Sequence, residues 1–186
     1  MKIIKDEIFT ISNGLSLVRL LLSVPLYFLF IYFDNPGISD IIIFLIIFAS
    51  FTDILDGYIA RKLNQITEFG KIIDPLADKI AMTAVLIGFI YNNLLPIYYV
   101  LIIILRDVLI LLGGIFITKK TGKVLPSNMV GKITVLIIGF VILFRLLGFK
   151  QNDLIFDILF YLSIIMIIIS FIVYLLRGIK VVKGNQ

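Results

Sequence analysis

Cysteine and histidine are both missing from these 186 residues. Their absence excludes disulfides, thiolate nucleophiles, zinc centres built on sulfur or imidazole, and imidazole acid–base catalysis. Charge is scarce too. Charged residues make up 16% of the chain against 61% hydrophobic, and the mean hydropathy of +1.14 lies far outside the range of soluble globular domains. Whatever chemistry occurs must run on carboxylates, Lys and Arg, tyrosines, hydroxyls and bound metal. The net charge of +5 does not point to nucleic acid in so apolar a chain. Membrane orientation and anionic lipid explain it better.

What the chain has instead is a series of long apolar runs. A bilayer-spanning helix needs about 20 mostly apolar residues. Six such runs are expected, roughly at 15–33, 40–61, 70–92, 95–118, 127–148 and 153–177. The first continues into others of similar length, which reads as a span and not a removable signal peptide. The expected fold class is an all-α integral membrane protein: a six-helix membrane domain over 15–183, with links too short for a soluble domain. Residues 1–14 mix Ile3, Ile4, Ile8, Phe9 and Ile11 with Lys2, Lys5, Asp6 and Glu7, the pattern of a short amphipathic helix lying at the membrane surface. Ser12 or Asn13 is the expected cap of the helix that follows. The outer links at 34–39, 93–94 and 149–152 hold one basic residue, Lys150, whereas the inner segments hold Lys2, Lys5, Arg61, Lys62, Lys119, Lys120, Lys123, Lys180 and Lys183. That imbalance orients both termini toward the cytoplasm.

Set into this background are Asp53, Asp56, Gly57, Ala60, Arg61, Gly70, Asp74 and Asp78. Asp53 and Asp56 are three apart and Asp74 and Asp78 four apart, so on helices each pair shares a face. Counted inward from the outer helix ends at 1.5 Å per residue, Asp53, Asp56, Asp78 and Asp74 fall about 18, 23, 20 and 26 Å deep. Arg19, Arg106 and Lys132 fall about 21, 15 and 26 Å deep by the same count. Four unpaired aspartates near mid-membrane would cost about 10–14 kcal/mol, more than the neighbouring Ile and Leu return. A shared cation or water-filled cavity is therefore required, and one divalent ion would offset half the charge of four carboxylates and two would neutralise it. Gly57, Ala60 and Gly70 fall on the aspartate faces and leave room there, either for close helix packing or for a flat base or ribose.

A cation pathway, a structural metal site and a catalytic centre all remain open for such a layer. The nearby Arg61, Arg106 and Lys132 favour catalysis on phosphate, because fixed positive charge harms a cation route and suits an anionic substrate. Arg106 could instead pair with the adjacent Asp107, and Lys132 could be an ordinary interfacial lysine. Gly113 and Gly114 read as packing.

Taken as a string, Asp53-x-x-Asp56-Gly57-x-x-Ala60-Arg61, eight residues, then Gly70-x-x-x-Asp74-x-x-x-Asp78 resembles the signature of the CDP-alcohol phosphotransferases without a departure. Asn13 with Arg19 at the first span, and Gly131-Lys132-x-Thr134 on the fifth, are similar to its phosphatidylglycerophosphate synthase branch. The resemblance implies transfer of a phosphatidyl group from CDP-diacylglycerol to a small alcohol, glycerol 3-phosphate being the leading acceptor, with release of CMP. It implies Mg²⁺ or Mn²⁺, two ions, on Asp53, Asp56, Asp74 and Asp78, with Asp78 also the catalytic base. Asn13, Asp56, Gly57, Ala60, Arg61 and Gly70 would bind the CDP donor, and Arg106, Lys132 and Arg177 the acceptor. It also implies a homodimer with its active site on the cytoplasmic side. The helix-four sequence Arg106-Asp107 leaves phosphatidylglycerol open as acceptor, and the shared signature leaves serine and inositol phosphate.

Overall fold

Apolar runs broken by short turn-forming segments become six helices and nothing else among the described residues. The computed structural model describes residues 10–62, 70–122 and 128–184; within these, the side chains of residues 11–12, 53, 56–62 and 70–76 lie outside the description. In chain order the helices are α1 (Ile11–Ile31), α2 (Ile38–Lys62), α3 (Gly70–Tyr91), α4 (Ile97–Thr121), α5 (Met129–Leu146) and α6 (Leu154–Lys183). Each expected span corresponds to one of them, with ends shifted by a few residues. The surface helix expected over residues 1–14 falls largely outside the described residues, and its last part is the first turn of α1. The cap is also not where the sequence pointed. Thr10 occupies it, its side chain accepting from the Asn13 backbone N–H at 3.2 Å, because the helix starts earlier than the apolar pattern suggested.

By length and composition α1, α4, α5 and α6 can each cross a bilayer, and Ile38–Thr52 of α2 is a shorter apolar stretch. Polar side chains share the interior with an apolar core that includes Phe30, Phe89 and Phe156, and the exterior is apolar, unlike that of a soluble protein. Asn13, Ser16, Arg19, Ser23, Thr52, Thr134, Ser163 and Ser170 are buried, while Leu21, Phe44, Ile54, Leu111, Phe116 and Leu154 are exposed. An apolar exterior around polar helix contacts is what a lipid solvent selects. The protein is an integral membrane protein.

The chain divides into two compact units, Met1–Leu94 and Leu95–Gln186. In the first, α1 packs against both α2 and α3. Its buried residues Asn13, Ser16, Arg19, Ser23, Leu26 and Phe30 recur every three or four positions and form one face. The Asn92 side chain donates to Phe30 O at 2.8 Å and to Gly88 O at 2.9 Å, tying the end of α3 to the end of α1; the two helices run parallel.

In the second unit α6 packs against α4 and α5. The Tyr99 and Ser163 hydroxyls are bonded at 2.7 Å. Further along, the Tyr174 ring lies against Gly113 and Gly114, and Ile117 against Gly178. Contacts that advance together along both helices make α4 and α6 parallel, and the packing role expected of Gly113 and Gly114 is the observed one. Gly122 and Gly148, at φ 66° and 95°, end α4 and α5 in the left-handed region, which glycine reaches without a Cβ penalty.

Candidate functional site

The helical backbone places Asp53, Asp56, Gly57, Ala60 and Arg61 on the last turns of α2. Gly70 and Asp74 lie on the first turns of α3 and Asp78 on the next. Spacings of three and four on continuous helices put each aspartate pair on one face, as expected. Both helices pack on α1, and no comparable packing between α2 and α3 is present among the described residues. α1 is thus the element the two acid-bearing helices share. It presents Asn13, at 3% exposure, and Arg19, at 2%, to that interior. Through Arg19, α1 supplies cationic character to the same unit that carries the four aspartates. Sequence reasoning placed Arg19 in the charged layer but gave it no role.

Of the four aspartates only Asp78 has a described side chain, and it is exposed, as is the adjacent Lys79. Among the described residues no three Asp, Glu, Cys or His side chains come together as a metal site. The side chains of Asp53, Asp56 and Asp74, with those of Gly57, Ala60, Arg61 and Gly70, lie outside the described residues. The donor chemistry nevertheless fits a hard cation, since a chain without Cys or His offers only oxygen ligands.

The second unit contains a second polar centre. Arg106 on α4 donates through Nε and Nη2 to Ser170 Oγ on α6, at 3.3 and 3.2 Å. Its Nη1 donates to Asp107 Oδ1 at 2.7 Å. The local pairing weighed from sequence is therefore real, but it takes up only part of the guanidinium. Arg106 also reaches α5, where a Cβ on Gly131 would stand 3.5 Å from its Nη2. Gly131 lies in the first turn of α5, where Asn128 caps the helix by accepting the Gly131 N–H at 2.5 Å. Lys132 follows, exposed, and Thr134 is buried, donating to Val130 O at 2.8 Å and Met166 O at 3.2 Å. Arg106 and the Gly131–Lys132 turn are thus brought together. Arg177 lies two helical turns beyond Ser170 on α6. Sequence reasoning missed Ser170; a lone hydroxyl in an Ile-rich run was its only signal.

A helical membrane domain with an acid-bearing pair of helices and a buried arginine centre defines the class. The chain belongs to the CDP-alcohol phosphatidyltransferase family, which it matches over residues 9–178. It is 35% identical over 179 residues to the CDP-diacylglycerol–glycerol-3-phosphate 3-phosphatidyltransferase of Aquifex aeolicus, covering 92% of this chain and 97% of that one. The protein of the same name from Bacillus subtilis is 47% identical over 89 residues, 48% of this chain and 46% of the other. A cardiolipin synthase (CMP-forming) of Streptomyces coelicolor is 31% identical over 131 residues, 68% of this chain and 60% of the other. The protein is a membrane-embedded phosphatidyltransferase of phospholipid synthesis.

Proposed function

We propose that this enzyme transfers the phosphatidyl group of CDP-diacylglycerol to glycerol 3-phosphate and releases CMP. The observation that carries the reading is the uninterrupted signature from Asp53 to Asp78, supported by a relative with that activity in its name that matches 92% of the chain. All six helices span the bilayer, with the signature acids near the end of α2 and the start of α3, and both termini face the cytoplasm. The acids of α2 and α3 converge beside the polar face of α1, in the membrane's cytoplasmic half.

Asp53, Asp56, Asp74 and Asp78 would hold two divalent ions, Mg²⁺ or Mn²⁺. Bound there, such ions would polarise the donor's diphosphate and stabilise charge on the attacking and leaving oxygens. Arg61 pairs with the diphosphate, its planar fork matching phosphate oxygens. Asn13 and Asp56 orient the cytidine, and the small faces of Gly57, Ala60 and Gly70 leave room for it. Asp78, on an exposed face of its helix, takes the proton of the acceptor hydroxyl as that oxygen attacks the β-phosphorus in line with departing CMP. Arg106, Lys132 and Arg177 bind the acceptor's own phosphate, which favours glycerol 3-phosphate over uncharged alcohols. The donor's acyl chains remain in lipid. As in the family, the working unit is a homodimer.

Phosphatidylglycerol as acceptor is the second reading. The Arg106–Asp107 pair and the relatives named as cardiolipin synthases favour it. Purified protein given CDP-diacylglycerol, Mg²⁺ or Mn²⁺ and a panel of alcohols separates the two. CMP and phosphatidylglycerophosphate are expected with glycerol 3-phosphate. Cardiolipin from phosphatidylglycerol would transfer the assignment to the second reading. No CMP with any alcohol, together with cation conduction in proteoliposomes, would overturn both.

A further inference from the structure

We infer that Ser170 is the positioning residue of the acceptor site, holding the Arg106 guanidinium so that its terminal N–H groups address the acceptor's phosphate. The inference rests on the assignment of Arg106 to the acceptor.

Ser170 is 1% exposed, and its hydroxyl has one orientation available because it donates to Ile167 O at 2.9 Å. With its hydrogen committed, Oγ can only accept. It does so twice from one guanidinium, from Nε at 3.3 Å and Nη2 at 3.2 Å. Both donors lie on the same edge of the planar group, so a single oxygen fixes the plane as well as the position. Asp107 takes one hydrogen of Nη1 at 2.7 Å. Among the described residues that leaves one N–H on each terminal nitrogen without an assigned acceptor, on a side chain that is 11% exposed. A guanidinium held along one edge, with donors left at its tip, has the geometry of a phosphate ligand and not merely of a buried ion pair.

The neighbouring contact points the same way. Nη2 lies over the first turn of α5, where Gly131 has no side chain to block approach. Ser170 is neutral, so it orients Arg106 without cancelling its charge; an acid at this position would satisfy the same N–H groups and remove the attraction for phosphate. Without Ser170, the long arginine side chain is free to swing fully onto Asp107. The phosphate would then meet an already paired cation.

The experiment compares Ser170→Ala, Ser170→Thr and Arg106→Ala in full-length protein. Steady-state kinetics are measured with glycerol 3-phosphate and CDP-diacylglycerol, and inorganic phosphate is used as competitor. Ser170→Ala should raise KM for glycerol 3-phosphate and Ki for inorganic phosphate together, by about tenfold, the scale of one charged hydrogen bond. KM for CDP-diacylglycerol should change less than about twofold, and kcat less than about threefold, because binding of a non-reacting phosphate is uniform along the reaction. Ser170→Thr, which keeps the accepting oxygen, should restore wild-type values. If Ser170→Ala does not fold, Ser170→Cys, a weak acceptor of similar volume, is read in the same way. Equal changes in both KM values, no change in either, or a Thr variant as impaired as Ala would overturn the inference. An acceptor KM raised by Arg106→Ala but not by Ser170→Ala overturns it alone. An acceptor KM unmoved by Arg106→Ala removes the underlying assignment as well.

Discussion

The aromatic ring of Phe30 occupies the space into which any side chain on Gly88 would grow. Phe30 is 1% exposed and stacks edge-on against Phe89 at 5.7 Å. The carbonyls of Phe30 and Gly88 both accept from Asn92. One glycine thereby sets how closely α1 and α3 approach at the ends away from the aspartates, and so the angle at which α3 carries Asp74 and Asp78 past α1.

Gly88→Ala is expected to force the Phe30 ring aside and cost about 1–3 kcal/mol, the usual penalty for overfilling a packed contact. Thermal unfolding in detergent should show the loss, with activity reduced though no substrate-binding residue is changed. An unaltered melting temperature would mean that α1 and α3 do not meet closely at this level.

The hydroxyl pair between α4 and α6 gives an asymmetric expectation. Ser163 donates to Phe160 O at 2.6 Å besides its 2.7 Å bond with Tyr99. Tyr99→Phe therefore leaves Ser163 with a partner and should cost under about 1 kcal/mol, within the range of interhelical hydrogen bonds in membranes. Ser163→Ala strands a buried Tyr99 hydroxyl and should cost about 1–3 kcal/mol. Chemical unfolding of the two variants in mixed micelles measures both. The reverse order would contradict the packing of α4 on α6 described here.

The six helices were legible in the sequence because each is a long apolar run, and length and hydrophobicity can be counted. The start of α1 was not, since Thr10 caps it from outside the apolar run and the choice between Thr10, Ser12 and Asn13 depends on local backbone geometry. The aspartates and Arg61 stood out because charge in an apolar helix is costly and therefore conspicuous. Ser170 did not: a serine in a membrane helix satisfies itself on the preceding turn, as Ser23 does on Leu20 O at 2.6 Å. Only the packing of α6 on α4 shows which serine also meets an arginine. Arg19 lay between these cases, visible as a charge but without a role until its burial on the face shared with α2 and α3 was known.

For catalysis, Asp78→Asn keeps the size and hydrogen-bonding capacity of the side chain but removes the proton acceptor proposed above. Turnover should fall by about 10²–10⁴-fold, the usual contribution of a positioned base. Binding of CDP-diacylglycerol, followed by equilibrium dialysis of a labelled donor, should be largely retained. Loss of donor binding with turnover would assign Asp78 to the pocket instead of the proton transfer.

Acidic groups from α2 and α3 are proposed to hold the same ions, and Mn²⁺ binding followed by electron paramagnetic resonance tests this without any turnover. Wild-type protein should bind two Mn²⁺ per chain, and Asp53→Ala on α2 and Asp78→Ala on α3 should each weaken both ions. Sites that respond to one helix and ignore the other, or Mn²⁺ binding unchanged in both variants, would contradict it.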